Sequence, residues 1–197
     1  MKKIAVLISG GGTDLQSIID AIEAGKINGE IRLVISNKEN AYGLERARKH
    51  NIDAIFDNDE QSIIDRLKNE EIDLVVLAGF LKILSSNFTR AFENKIINIH
   101  PSLIPAFCGK GYYGLKVHQS AIDYGVKISG ATVHFVDENA DTGPIISQET
   151  VEVFPEDTAE TLQKRVLEVE HRILPMVVSK FCDGKIRVEG RKVFIDN

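Results

Sequence analysis

Disulfide chemistry has little to work with in this sequence. Its two cysteines, Cys108 and Cys182, lie far apart with no metal-type spacing, and two lone thiols in a chain of this size fit a reducing compartment, with the cytoplasm as the default. A signal peptide is also missing. Lys2 and Lys3 precede an apolar run, but Ile4 to Ile8 is only five residues, short of the roughly seven that an h-region needs, and three glycines follow at once. Excess positive charge is absent too: a net charge of −5 and a pI near 5.6 argue against nucleic acid as the main partner, because such binding rests on neutralising phosphates. There is no internal repeat, low-complexity tract or linker, and no membrane partner is expected. With 197 residues the chain is expected to form one large domain, or a domain with an appendage, able to bury roughly 70% of its unfolded surface.

Apolar strands alternate with amphipathic helices along the chain. Lys3 to Ile8 reads as a strand, Ser9 to Gly12 as a loop, and Thr13 to Ala24 as a helix with a Thr13–Gln16 capping box, an inward face of Leu15, Ile18, Ile19 and Ile22, and Gly25 at C′. Ile31 to Ser36, Ala54 to Phe56, Asp73 to Ala78 and Ile96 to His100 read as further strands. Helices are expected near Tyr42 to Lys49, Glu60 to Asn69 and Ser85 to Phe92. This alternation predicts an α/β fold: an open, mostly parallel twisted sheet with helices on both faces. A glycine-rich loop, Ala106 to Gly114, leads to a helix at Leu115 to Tyr124. Strands at Ile128 to Val136 and Ile145 to Val153 flank the acidic loop Asp137 to Gly143. Asp157 and Glu160 should cap a long helix to about Phe181, kinked at Pro175, and Ile186 to Glu189 with Lys192 to Ile195 should make a C-terminal hairpin.

The strand Ile96 to His100 is expected near the middle of the sheet, with Asn98 and His100 on one face and Pro101 ending the pairing. That puts an amide and an imidazole at the strand's carboxyl end, where open α/β sheets bind ligands. The pair suits a reaction that develops negative charge on a carbonyl oxygen and then delivers a proton to a leaving group. Gly10 to Thr13, between a strand and a helix, offers free N–H groups and a positive helix end to a phosphate, although a tight turn needs the same glycines. It is not a P-loop, and Ser36-Asn37 stands where a dinucleotide site would place an acid. Spacing cannot place Asp141 beside His100, and His134 reads as a core or supporting histidine. The histidines show no zinc pattern and no Gly-x-Ser-x-Gly elbow is present.

Taken in order, Ser9 to Gln16, Ser36-Asn37-Lys38, Leu77 to Leu84, Asn98-Ile-His-Pro-Ser-Leu-Ile-Pro105, Gly130 to Val136 and Asp141-Thr-Gly-Pro-Ile-Ile146 resemble the formyltransferases that use 10-formyltetrahydrofolate, and in particular the phosphoribosylglycinamide formyltransferases. The resemblance spans essentially the whole chain and implies a Rossmann-like formyltransferase fold. It implies that a single domain, residues 1–197, divides into a phosphate-binding half (1–95) and a catalytic and folate-binding half (96–197). The implied reaction moves the formyl group of 10-formyltetrahydrofolate, a co-substrate, to the amine of N1-(5-phosphoribosyl)glycinamide in purine biosynthesis, without a metal. Asn98, His100 and Asp141 would be catalytic. Gly11, Gly12, Thr13, Asp14 and Glu170 would bind the phosphate and ribose, and Leu81, Lys82, Ile83, Leu84, Glu138, Asn139, Ala140 and Thr142 would wall the folate. Asp14 departs from the asparagine common in the family: a carboxylate beside a phosphate repels unless it caps the helix, or unless Lys110 or Lys116 offsets it. Partners would be small molecules, with the protein a monomer or homodimer. The runner-up is formyltetrahydrofolate deformylase, a hydrolase. A methionyl-tRNA formyltransferase would need an RNA-binding domain and a basic surface, and a non-catalytic nucleotide-binding module would leave Asn98, His100 and Asp141 incidental.

Overall fold

The computed structural model describes residues 1–196 and contains a seven-stranded sheet in the order β3-β2-β1-β4-β5-β6-β7, plus a separate hairpin β8-β9. The strands are β1 (Lys2–Ile8), β2 (Gly29–Ser36), β3 (Asp53–Phe56), β4 (Leu74–Leu77), β5 (Ile96–His100), β6 (Ile128–Phe135), β7 (Ile145–Glu152), β8 (Ile186–Glu189) and β9 (Lys192–Ile195). The helices are α1 (Thr13–Glu23), α2 (Tyr42–Lys49), α3 (Glu60–Asn69), α4 (Ser86–Ala91), α5 (Leu115–Tyr124) and α6 (Ala159–Cys182). β1 to β5 pair in parallel, while β6 adds antiparallel to β5 and β7 antiparallel to β6. The expected sheet is therefore present, and β5 is interior as its apolar run demands.

Two apolar layers cover the sheet. Leu15, Ile18, Leu44, Ala121, Leu162, Val166 and Val177, from α1, α2, α5 and α6, pack on one face. Ile63, Ile64, Leu67 and Phe88, from α3 and α4, pack on the other with Leu7, Ile35 and Val75. Alternate residues of β1 and β4 point to opposite layers, which is why Ile4 to Ile8 of β1 and the whole of β4 are apolar. The chain places β2 and β3 on one side of β1 and then returns to place β4 on the other. The resulting crevice at the carboxyl ends of β1 and β4 is the switch point at which this architecture binds ligands.

Two expected caps differ. Thr13 does not cap α1. Gly12, at φ 71°, holds the N-cap position in the left-handed conformation, so Thr13 is already helical, and the Gln16 side chain turns outward to Asp20, His50 and Arg46. α6 is capped by Thr158, which forms a reciprocal capping box with Thr161. Asp157 lies one residue too early and instead accepts from the Phe154 N–H and from Arg165. α6 runs without interruption through Pro175. Gly25 ends α1 in the left-handed conformation, as expected of a C′ glycine.

Candidate active site

A cavity of about 660 Å³ opens at the carboxyl ends of β1, β4 and β5. Gly10 to Asp14, after β1, form one end. Leu77 to Leu84, after β4, and Val136, Asp137, Asn139 and Ala140 form another wall, and Asn98, His100 and Asp141 lie between them. The loops are tied together: buried Ser9 donates to Asn37 Oδ1 at 2.6 Å and accepts from the Leu81 N–H at 2.9 Å.

At the glycine end, α2 clasps the turn. The Gly43 N–H donates to the Gly10 carbonyl at 3.0 Å, and Arg46 Nε donates to the Gly11 carbonyl at 2.7 Å. First-turn N–H groups have no partner within their helix, so the start of α1 presents donors and a positive end to the cavity. The glycines have different duties. A Cβ on Gly12 would sit 2.8 Å from Gly43 Cα at a positive φ, whereas one on Gly11 would meet nothing within 4 Å. Gly11→Val is therefore expected to leave the thermal midpoint near wild type while projecting bulk into the cavity and weakening ligands at this end. Gly12→Val is expected to lower the midpoint, because the backbone must move. Thermal unfolding alongside ligand titration checks both, and equal loss of stability in the two variants would refute the distinction.

At the β5 end, the antiparallel register pairs Asn98 with His134 and His100 with Thr132. His134 Nδ1 donates to the Phe135 carbonyl at 2.7 Å, and its Nε2 lies 3.1 Å from Asn98 Nδ2 and 3.5 Å from Asp141 Oδ1. This fixes the amide of Asn98 and leaves its second N–H for the cavity. His134 thus supports the site, as its strand position suggests. His100 Nε2 donates to the Phe107 carbonyl at 2.9 Å, and its Nδ1 faces Asp141 Oδ2 at 3.6 Å. Asp141, at φ 57°, occupies the left-handed region and accepts from the Gly109 N–H at 2.8 Å. The β6–β7 hairpin thus brings together what spacing alone could not.

Burial pushes the His100 pKa below its ordinary value, and the opposing effects of Asp141 and the Phe107 carbonyl do not restore it. This favours the neutral His100 ring at rest near pH 7. For Asp141, burial raises the pKa, but His134, His100 and the Gly109 N–H outweigh it and hold the carboxylate ionised. His118 of α5 also lines the cavity, and burial, with His100 nearby, pulls it down to about 4. Nothing in the sequence around His118 separated it from a core histidine.

Of the expected folate wall, Leu81, Lys82, Ile83, Leu84, Asn139 and Ala140 line the cavity. Leu81 and Ile83 are 51% and 58% exposed, which fits an apolar wall awaiting a ligand. Glu138 and Thr142 do not line it. Glu138 pairs with Arg90 at the surface at 2.9 Å, and Thr142 donates to Asp137. Glu170 of α6 is buried and reaches the glycine end, where Asp14 faces it and caps nothing. The group that faces Asp14 is neither Lys110 nor Lys116, the latter lying over the Tyr112 ring, but the His171 imidazole, with Nε2 3.6 Å from Asp14 Oδ1. Among the described residues no group of three or more His, Cys, Asp or Glu is arranged to hold a metal.

The family model for formyl transferase matches residues 2–178. The phosphoribosylglycinamide formyltransferase of Haemophilus influenzae is 45% identical, covering all of this chain and 94% of its own, and that of Escherichia coli is 41% identical over 98% and 93%. The chain spans 62% of the longer chloroplastic enzyme of Vigna unguiculata, at 44% identity. The crystal structure of glycinamide ribonucleotide transformylase 1 from Symbiobacterium toebii superposes with a TM-score of 0.94 at 43% identity, over 100% of this chain and 95% of that one. A formyltetrahydrofolate deformylase from Pseudomonas syringae shares the fold (TM-score 0.90), but at 26% identity and with only 66% of its length covered. This chain belongs to the formyl transferase family, among its phosphoribosylglycinamide formyltransferases.

Proposed function

We propose that Asn98, His100 and Asp141 carry the transfer of a formyl group from 10-formyltetrahydrofolate to the amine of N1-(5-phosphoribosyl)glycinamide, a step of purine biosynthesis. The observation that carries these roles is the convergence of the three side chains in one cavity, between an anion-ready helix start and an exposed apolar wall. The amine attacks the formyl carbon, and the free N–H of Asn98 donates to the oxygen as it becomes an oxyanion, an effect of about 3 kcal/mol where such donors have been removed. His100, neutral at rest, takes the proton the amine must lose and returns it to N10 as the carbon–N10 bond breaks. Asp141 stabilises the imidazolium between those two transfers. The products are the formylated ribonucleotide and tetrahydrofolate.

In this reading Gly11, Gly12 and Thr13 take the phosphate, and Glu170 accepts from the ribose hydroxyls. Leu81 to Leu84, with Asn139 and Ala140, hold the folate. Residues 1–95 then supply the phosphate loop and the first folate wall, and 96–197 the catalytic groups, Glu170 and the second folate wall. All of them come from one chain, so each subunit is active whether monomeric or dimeric. The two unpaired thiols fit a cytoplasmic enzyme.

Formyl capture tests the reaction. With 10-formyltetrahydrofolate alone, release of tetrahydrofolate should be slow, and phosphoribosylglycinamide should accelerate it with one formyl group captured per tetrahydrofolate. Rapid release as free formate, indifferent to the ribonucleotide, would make the protein a deformylase.

A further inference from the structure

The cavity's phosphate end holds two acids where the proposed ligand is itself an anion. Glu170 of α6 is buried, and Asp14 of α1, partly buried with its Oδ1 shut off from solvent, lies within hydrogen-bonding reach of it at the same end of the cavity. Two ionised carboxylates only accept, so such a contact requires a proton on one of them. On its far side, Asp14 Oδ1 has no hydrogen-bond partner and faces His171 Nε2, likewise unpartnered, at 3.6 Å. The other charges nearby are Arg46 of α2, engaged with the Gly11 carbonyl, and Lys110, across the cavity on the loop before α5.

We propose that Asp14 is a positioning residue: it shares one proton with Glu170, so that Glu170 donates to Asp14, turns its carbonyl oxygen to the ligand's hydroxyls, and adds no second negative charge beside the phosphate. This rests on the assignment of the ribonucleotide to this end of the cavity. Burial and the Asp14 charge both hold the Glu170 proton well above the ordinary carboxyl range, while the charge left on Asp14 faces His171. The sign follows. The pair carries one negative charge with the proton and two without it, so affinity for a phosphate ester falls when alkaline pH removes it.

Infrared difference spectra of the wild-type protein between neutral and alkaline pH should show a buried protonated carboxyl that disappears on raising pH, and Glu170→Gln should abolish that band. Asp14→Asn removes the like charge and supplies an amide N–H that favours ionised Glu170, so the band should titrate at lower pH. In turnover, wild-type KM for the ribonucleotide should rise by up to about tenfold per pH unit above the pair's titration. In Asp14→Asn the rise should leave the alkaline range and move with the band to lower pH, and KM for the folate should be indifferent to the substitution. No protonated carboxyl at neutral pH in the wild type, or an alkaline KM rise retained in Asp14→Asn, would overturn the shared proton. A band behaving as described in a protein never saturated by the ribonucleotide would support the shared proton and overturn the substrate assignment instead.

Discussion

Asp141→Asn should lower turnover by roughly a hundredfold or more, the usual scale for positioned acid–base groups, in a protein that still folds and binds both substrates. Folding should survive because Asp141 sits at φ 57°, a region that asparagine tolerates well, and the amide oxygen can still accept from the Gly109 N–H. What is lost is charge. Asp141 is the strongest influence opposing the burial that depresses the His100 pKa, so its neutralisation moves that pKa lower still. If neutral His100 is the base, kcat/KM rises as pH climbs through its pKa, and the acid limb of the profile should shift to lower pH in Asp141→Asn while the plateau falls. His100→Asn should cost a comparable factor. The double variant should cost much less than the product, because residues acting as one unit are not additive. Multiplying losses would show that the two work separately, and near-normal turnover with an unmoved acid limb would return Asp141 to an ordinary loop acid.

The sheet was legible because burial writes itself into composition. β4 is buried at every position and apolar at every position, and α1 and α3 bury the face that their periodicity marks. Asn98 and His100 were legible as a pair for the same reason: two polar residues interrupt a buried strand on one face, just before a proline. Asp141 was different. Its approach to His100 depends on β6 turning antiparallel beside β5 in the register that sets Asn98 opposite His134, and a parallel continuation would carry the same loop away. Local residues do not encode that choice. The Thr13–Gln16 box failed through a competition at the same spot, since Gly12 can take the left-handed N-cap conformation that its packing against Gly43 demands. A loop's sequence does not say which side chains face inward, and those of Glu138 and Thr142 turn to Arg90 and Asp137. Asp14 could be seen as a misplaced acid, but Glu170 lies on a helix some 150 residues later.

The segment that follows His100 hangs on a hydroxyl that a sequence reading passes over. Thr132 of β6 is fully buried. Its Oγ1 donates to the Ser102 carbonyl at 2.6 Å, accepts from the Ile104 N–H at 3.1 Å, and accepts from Gln148 Nε2 at 3.0 Å. Thr132→Val preserves the shape and removes all three bonds. Gln148 retains the Ile104 carbonyl at 2.9 Å, but the Ile104 N–H and the Ser102 carbonyl are left without these partners, and each unsatisfied group costs about 1–3 kcal/mol. A loss of about 3 kcal/mol is expected, or a midpoint lower by roughly 6–12 °C for a chain of this size. Thr132→Ser keeps the hydroxyl and should cost only about 1 kcal/mol, the value of one buried methyl. The consequence reaches the site, because the same segment carries the Phe107 carbonyl that accepts from His100, and Ser102 Oγ donates to the Ala106 carbonyl at 2.6 Å to hold it there. Slack in that segment should lower kcat severalfold in Thr132→Val and leave it near normal in Thr132→Ser. Denaturant unfolding of the two variants beside wild type decides the matter: if valine proves as well tolerated as serine, the hydroxyl is not what holds the segment, and its hold on His100 must come from packing alone.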